Sequence, residues 1–372
     1  MRIEFLLACF LLIWSGLSWA GEAELQLRDD KPVVVAGEHM QWWIDQNGMH
    51  SVHSLLKSES VSWTDSMAAV PNLGYRMHPV WFRLPITNGA TEVMWNLVID
   101  YPLIRDLDIF FVAGGEVTEI FQLGERFEFS ARPVLHRNFI IPFRIEAGSD
   151  QEIYIKMQGP YAIQMPARIM TAKALLEYEV VSVLAHGLFF GFVMVMGFYN
   201  LFLYISTREN TYLFYVLFTF CIGLFQFVEQ GFAFQFLWPK EVWWQNKATG
   251  VLLHACLISS FLFVNSFLEM RKDMRWIFKI YSLLTALSLL SLCAVPLMDE
   301  FWTIRFGVML VIPATVLAVL GGWLTWMKGR SDARFFSVAW FAFLVGVLLL
   351  ALNKLGWIPR NMITEHGAEV GT

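Results

Sequence analysis

The sequence predicts a multidomain membrane protein, with an all-β domain of jelly-roll or sandwich type followed by an α-helical transmembrane bundle. Three observations carry this. The composition breaks near residue 178, with an ordinary soluble mixture over 21–178 and nearly all the long apolar runs after it. The first part alternates apolar and polar residues with the period of two of a half-buried strand. The second part holds six apolar segments, each near the roughly 20 residues that a helix needs to cross a bilayer. The chain is 56% hydrophobic and 16% charged, which excludes a disordered chain, and a net charge of -5 points to no nucleic acid or other polyanionic partner.

Residues 1–20 read as a signal peptide. Arg2 precedes the apolar run FLLACFLLIW, and Ser18 and Ala20 place small residues where a signal peptidase reads them, so cleavage before Gly21 is expected. Leu6-Leu7-Ala8-Cys9 superficially resembles a lipoprotein box, but it lies too close to Met1 to leave a working apolar region ahead of it. Once Cys9 is removed, Cys221, Cys256 and Cys293 remain, all inside apolar runs. The exported domain, 21–165, therefore has no disulfides and depends on an ordinary core, which a domain of about 150 residues can build.

That domain reads as strands. In VWFRLPITN (80–88), Val80, Phe82, Leu84 and Ile86 alternate with Trp81, Arg83, Pro85 and Thr87. MWNLVID, LDIFFV, NFIIPFRI and QEIYIKM behave similarly, and Asn88-Gly89, Ala113-Gly114-Gly115 and Ala147-Gly148-Ser149-Asp150 supply turns between them. Several short strands at such spacing favour a sandwich or jelly roll. Residues 166–179 read as a helical linker, in which Thr171 can cap a helix that runs without Gly or Pro into the first span.

The spans are expected at about 180–205, 211–232, 248–269, 276–297, 303–327 and 335–353, within a membrane domain covering 180–372. The short loops at 206–210, 270–275 and 328–334 carry Arg208, Arg271, Lys272, Arg275, Lys328, Arg330 and Arg334. The alternate loops carry Lys240, Lys247, Lys354 and Arg360, diluted by Glu241, Asp299 and Glu300. The positive-inside rule puts the first set in the cytoplasm and the β-domain on the opposite side, where a signal peptide would send it.

With these segments in place, the chain resembles the bacterial seven-transmembrane receptors with diverse intracellular signalling modules. The exported domain is similar to their second extracellular type through VWFRLPITN and WNLVIDYPLIRDLDIFF, and the membrane part through GLFFGFVMVMGFYNLFLYISTRENTYLFYVLF, QGFAFQFLWP and LGWIPRN. The resemblance covers nearly everything from about residue 30 to the end. It implies a sensory receptor of the bacterial inner membrane with its β-domain in the periplasm, and an output domain, such as a diguanylate cyclase or histidine kinase, after a seventh span. Here GAEVGT falls where that span would begin, so the expectation is a truncated receptor or one acting through a membrane signalling partner or a homo-oligomer. Because the family's β-domain resembles carbohydrate-binding modules, the implied ligand is a small molecule or glycan.

The residues themselves offer little catalytic chemistry. No nucleophile elbow, phosphate loop or HExxH pattern occurs, so neither an enzyme nor a cofactor is expected. His50 and His53 lack supporting ligands for a metal, and Asp100, Asp106 and Asp108 read either as a solvated turn or as a calcium site. No metal site is expected. Trp42, Trp43, Trp63, Trp81, Trp95, Tyr101 and Tyr161 are either core or stacking faces for sugar rings. Of these, Trp81, Tyr101 and Tyr161, with Arg83 on the polar side of its strand, are the candidate ligand-binding residues. Inside the spans, His186, Asn200, Glu229 and His254 are the candidate polar contacts, together with Asn265 and Asn353, because such side chains are expensive in hydrocarbon. His186 and Asn200 lie about 40° from a common helix face, and Gly187 and Gly191 permit close helix contact. The rival class is a transporter or channel, a reading weakened by the absence of an internal repeat and by Pro313 as the one clear interruption of a span. A nonfunctional receptor fragment is the third alternative.

Overall fold

The computed structural model describes residues 24–57, 61–330, 332–354, 356 and 358. The expected signal peptide and the start of a seventh span lie outside the described residues. The N-terminal region is all-β, with strands β1 (Leu25–Leu27), β2 (Val33–Val35), β3 (Gln41–Ile44), β4 (Thr64–Asp65), β5 (Asn72–Tyr75), β6 (Val80–Asn88), β7 (Met94–Ile99), β8 (Asp106–Ala113), β9 (Glu116–Leu123), β10 (Phe139–Arg144), β11 (Asp150–Gln158), β12 (Ala162–Gln164) and β13 (Ala167–Met170), and a short helix α1 (Val52–Lys57).

The larger sheet runs β4-β3-β6-β11-β8-β9, and β1 joins β6 in parallel on the edge that β3 also uses. A second sheet runs β10-β7-β13-β2, and β12 pairs with β5. Alternation along each strand turns one side chain in two toward the facing sheet. Phe82, Leu84, Ile109, Phe111, Ile153 and Ile155 of the first sheet thereby meet Trp95, Leu97, Ile99, Phe139, Ile141 and Ile169 of the second in one fully buried core. Each such side chain stabilises the domain by roughly 1.5–3 kcal/mol through apolar area removed from water. The β8–β9 turn uses Gly114 and Gly115, both with positive φ (60° and 81°), the geometry that matches a tight turn to the twist of its strands.

The helices that come after are α2 (Ala172–Thr207), α3 (Asn210–Glu229), α4 (Phe232–Phe236), α5 (Val242–Phe267), α6 (Met270–Asp273), α7 (Arg275–Ala294), α8 (Glu300–Met327) and α9 (Asp332–Lys354). Six of them are long and apolar enough to cross a membrane. The linker differs in part from expectation. Ala167–Met170 is the strand β13, held between β7 and β2, so the helix begins only at Ala172. Thr171 does cap it, its hydroxyl accepting from the Ala174 N–H at 3.3 Å.

The bundle packs around Phe261, Val264, Met270, Ile277, Tyr281 and Ala318. Helix α2 stays at its rim, with Leu184, Phe192 and Phe198 more than half exposed, on a surface that lipid would cover. Nothing lies within 4 Å of the Cβ positions of Gly187 and Gly191, so these glycines face open space rather than the close helix contact expected of them. The close approach to α2 is made instead by Gly223 of α3, where a Cβ would sit 2.8 Å from Val193.

Candidate functional site

The β-domain rests on one end of the bundle, and the contacts there are polar and deep. Arg105, just before β8, pairs with Glu300 at the start of α8 at 2.6 Å, and Lys247 of α5 reaches the other oxygen of that carboxylate at 2.9 Å. Glu125, after β9, accepts from Gln245 Nε2 of α5 at 2.6 Å, while Gln245 Oε1 accepts from the Trp238 indole at 2.8 Å. Arg137 donates to Ser182 Oγ of α2 at 2.7 Å and lies over the Phe232 ring. Gln164 of β12 donates to Asn353 Oδ1 of α9 at 2.9 Å, and Asn72 of β5 to the Asn353 carbonyl at 2.6 Å. Ile304 and Val308 of α8 pack into the β-domain core itself. Gly231, between α3 and α4, must be glycine for two reasons: its φ is +78°, and a Cβ would sit 2.7 Å from Pro102 of the β-domain.

Burial sets the electrostatics of this junction. Glu125 is fully buried, and desolvation pushes its carboxyl up to about 7 against the opposing effects of the Gln245 bond and Arg132. Glu229 raises it further and Arg105 lowers it. Arg132, buried over the rings of Phe129, Phe139 and Phe234, is brought down to about 10 by desolvation, so it remains charged at neutral pH.

Below the junction a cavity of about 170 Å³ runs from the β-domain into the bundle. Tyr75, Tyr101 and Tyr161 line its outer end with Gln226, Glu229 and Thr249, and Phe218, Tyr281, Trp340 and Phe343 line its inner part. Three of the residues singled out in the sequence, Tyr101, Tyr161 and Glu229, thus converge on one space although they come from two domains. Burial drives the Tyr161 phenol well above its ordinary range, with Glu125, Glu229 and Tyr101 acting in the same sense and Thr249 opposing them.

The other candidates lie apart from the cavity. Trp81 is 1% exposed, stacked on Phe110 with Lys156 over its ring, and so presents no free face to a sugar. Arg83 sits on the outer face of the larger sheet, paired with Glu152 at 2.5 Å and within 3.5 Å of Gln41. Burial works to raise the Glu152 carboxyl, but the bonds from Arg83 and Tyr154 hold it below its ordinary value. Half-buried Trp43 and Trp63 pack on the same face. His186 contacts its own helix through the Ser182 carbonyl (2.7 Å) and sets its ring edge-on to Phe232, and Asn200 donates to the Met196 carbonyl one turn back, so these two do not meet. His254 bridges helices, its Nε2 2.8 Å from Ser291 Oγ of α7.

The acidic trio is divided. Asp100 takes Arg168, Asn138 and Tyr178, which ties α2 to the second sheet, whereas Asp106 and Asp108 share Arg126. His50 bonds Asp45 rather than pairing with His53. Among the described residues no group of three or more His, Cys, Asp or Glu is arranged to hold a metal.

Sequence reasoning did not single out Arg105, Glu125, Arg137 or Gln245, because each reads locally as a solvated turn or loop residue. A family model described as 7TM diverse intracellular signalling matches residues 182–372, and one described as 7TMR-DISM extracellular 2 matches residues 37–171. No curated protein matches the chain.

Proposed function

From a chain that belongs to the 7TM diverse intracellular signalling family, we infer a sensory receptor of the bacterial inner membrane whose periplasmic β-domain binds a small ligand, of carbohydrate class, and biases the helical bundle. The protein is multi-pass, with its N-terminal domain extracellular. The observation that carries the signalling reading is the junction. Arg105–Glu300–Lys247 and Glu125–Gln245 are buried or half-buried contacts in which a shift of the β-domain must move α5 and α8 or leave a charge unpaired. A ligand that binds the docked and shifted arrangements with different affinity would then change the bundle. The carbohydrate reading is supported by the Arg83–Glu152–Gln41 cluster beside the half-buried Trp43 and Trp63, since polar forks next to aromatic faces suit sugar hydroxyls and rings.

Both parts are tested on the full chain in nanodiscs. Cys256 is buried in the bundle beside the cavity, so in a Cys221→Ser, Cys293→Ser background its reaction with a membrane-permeant maleimide reports bundle packing. Arg105→Ala should raise that rate several-fold. An unchanged rate would sink the coupling. Glycan-array binding that Arg83→Ala weakens supports the carbohydrate ligand, and array silence across broad classes removes it.

A further inference from the structure

We propose that Glu125 is a proton switch for the docking of the β-domain on the bundle: neutral, it holds the two together, and ionised, it loosens them. This gives the receptor a second stimulus, external pH, that needs no glycan, and only its passage into the bundle rests on the coupling inferred above. Glu125 is 0% exposed and lies where the two domains meet. Its place is fixed from behind, since its N–H donates to the Ile104 carbonyl at 2.8 Å and a Cβ on the preceding Gly124 (φ +123°) would run into the Arg105 carbonyl. In the docked arrangement its carboxyl therefore has no access to water. One oxygen, Oε1, accepts from Gln245 Nε2 of α5 at 2.6 Å. The other, Oε2, has no hydrogen-bond partner among the described residues.

A carboxylate in that place would hold a full charge with one oxygen unmet, which costs far more than burying the neutral acid. The groups around it do not remove that cost. Arg132 faces it from the β-domain, but Nη1 of that guanidinium is bonded to the His136 and Arg137 carbonyls at 2.8 and 2.5 Å. Arg105 pairs with Glu300, and neither arginine forms an ion pair with Glu125 among the described residues. Glu229, at the end of α3, acts on it as a like charge, Gln245 of α5 is neutral, and the Tyr161 phenol is kept protonated by its own burial. What satisfies the site is a proton, in keeping with a carboxyl raised by burial to about 7. Once the β-domain lifts, water reaches the carboxyl and its value falls back toward 4.5, so docking takes up a proton and weakens as pH rises.

The test uses the full chain in nanodiscs, carrying Cys221→Ser, Cys256→Ser and Cys293→Ser and one introduced thiol. Ile304→Cys places it at a buried position where α8 packs into the β-domain core, and Gln122→Cys at an exposed position on β9. A charged methanethiosulfonate reagent reaches position 304 only when the β-domain lifts, and dividing its rate there by the rate at position 122 removes the pH dependence of the thiol itself. That ratio should rise about thirtyfold from pH 5.5 to 8.5, the factor set by a carboxyl that moves between about 7 docked and 4.5 undocked. In Glu125→Gln, whose amide stands in for the neutral acid, the ratio should stay flat. In Glu229→Gln, which removes the like charge, the rise should move to lower pH. A flat ratio in the parent, or an unaltered rise in a folded Glu125→Gln protein, would overturn the switch. If Glu125→Gln does not fold, Glu229→Gln decides: a rise shifted to lower pH supports Glu125, and a rise lost or unmoved overturns the assignment. The two readings fail separately, because Arg105→Ala at a single pH tests whether docking moves the bundle, and this ratio tests whether a proton moves the docking.

Discussion

Glu125 gives the junction a titration near neutral pH. Its carboxyl is raised from 4.5 to about 7 by burial, with Glu229 adding to the rise and Gln245, Arg132 and Arg105 opposing it. Because the folded value lies above the unfolded one, the stabilisation is fully present below about pH 4.5 and is lost as pH rises through about 7. The difference corresponds to about 3 kcal/mol across that window. Arg132, still charged up to about 10, does not titrate within it. The full chain should therefore melt at higher temperature at pH 5.5 than at pH 8 to the extent that Glu125 controls docking. Glu125→Gln keeps the shape and the bond to Gln245 but cannot ionise, so it should flatten that dependence. A slope between pH 5 and 8 equal to the wild type's would assign the titration to another group.

At the scale of single elements, the 36 residues of α2 carry the chain from the second sheet into the membrane without a break. Its start is fixed three times: by the Thr171 cap, by the Tyr178 hydroxyl on Asp100, and by Glu179 on His136 at 3.0 Å. Thr171→Ala should cost about 1 kcal/mol, the usual value of such a cap. Hydrogen exchange would then rise over the first turn of α2 and not in the bundle core. Faster exchange throughout α5 and α8 as well would mean that the cap supports the junction rather than one helix end. The periodic signal picked out β6, β7, β8, β10 and β11 and the six long apolar helices, because alternation and apolar runs are local properties. It missed β9, whose side chains are mostly exposed, the strands of two to four residues (β1–β5, β12 and β13), and the helices α1, α4 and α6, of six, five and four residues. Segments that short show little periodicity and are held by the packing around them, as Phe234 of α4 is by Phe129 of the β-domain.

Across the whole molecule, the connections near 230–241 and 295–299 lie against the β-domain, while those near 208, 268–274 and 328–330 lie at the far end of the bundle. At that far end Lys272 and Arg330 pair with Glu269, and Lys328 donates to the Asp273 carbonyl. Lys247, counted in the sequence among the charges of an outer loop, is instead committed to Glu300 within the junction. A reporter active only in the cytoplasm should work when fused after Arg208, Arg275 or Arg330 and be silent after Lys240 or Asp299. The reverse pattern would invert the orientation and remove the extracellular sensor.

Much of this architecture arises from nearest neighbours in the chain. VWFRLPITN buries every second residue in a sheet core, the apolar runs after Val180 span, and Thr171 caps the helix that starts at Ala172, each through forces acting over a few residues. The cavity was legible only as separate names, Tyr101, Tyr161 and Glu229, with nothing in their spacing to join them. The junction was not legible at all, since Arg105 meets Glu300 across 195 residues and Glu125 meets Gln245 across 120. Such pairs leave no periodic trace. They exist only once hydrophobic burial has built two domains and pressed one onto the other, so the residues that join the β-domain to the bundle were decided by the tertiary structure.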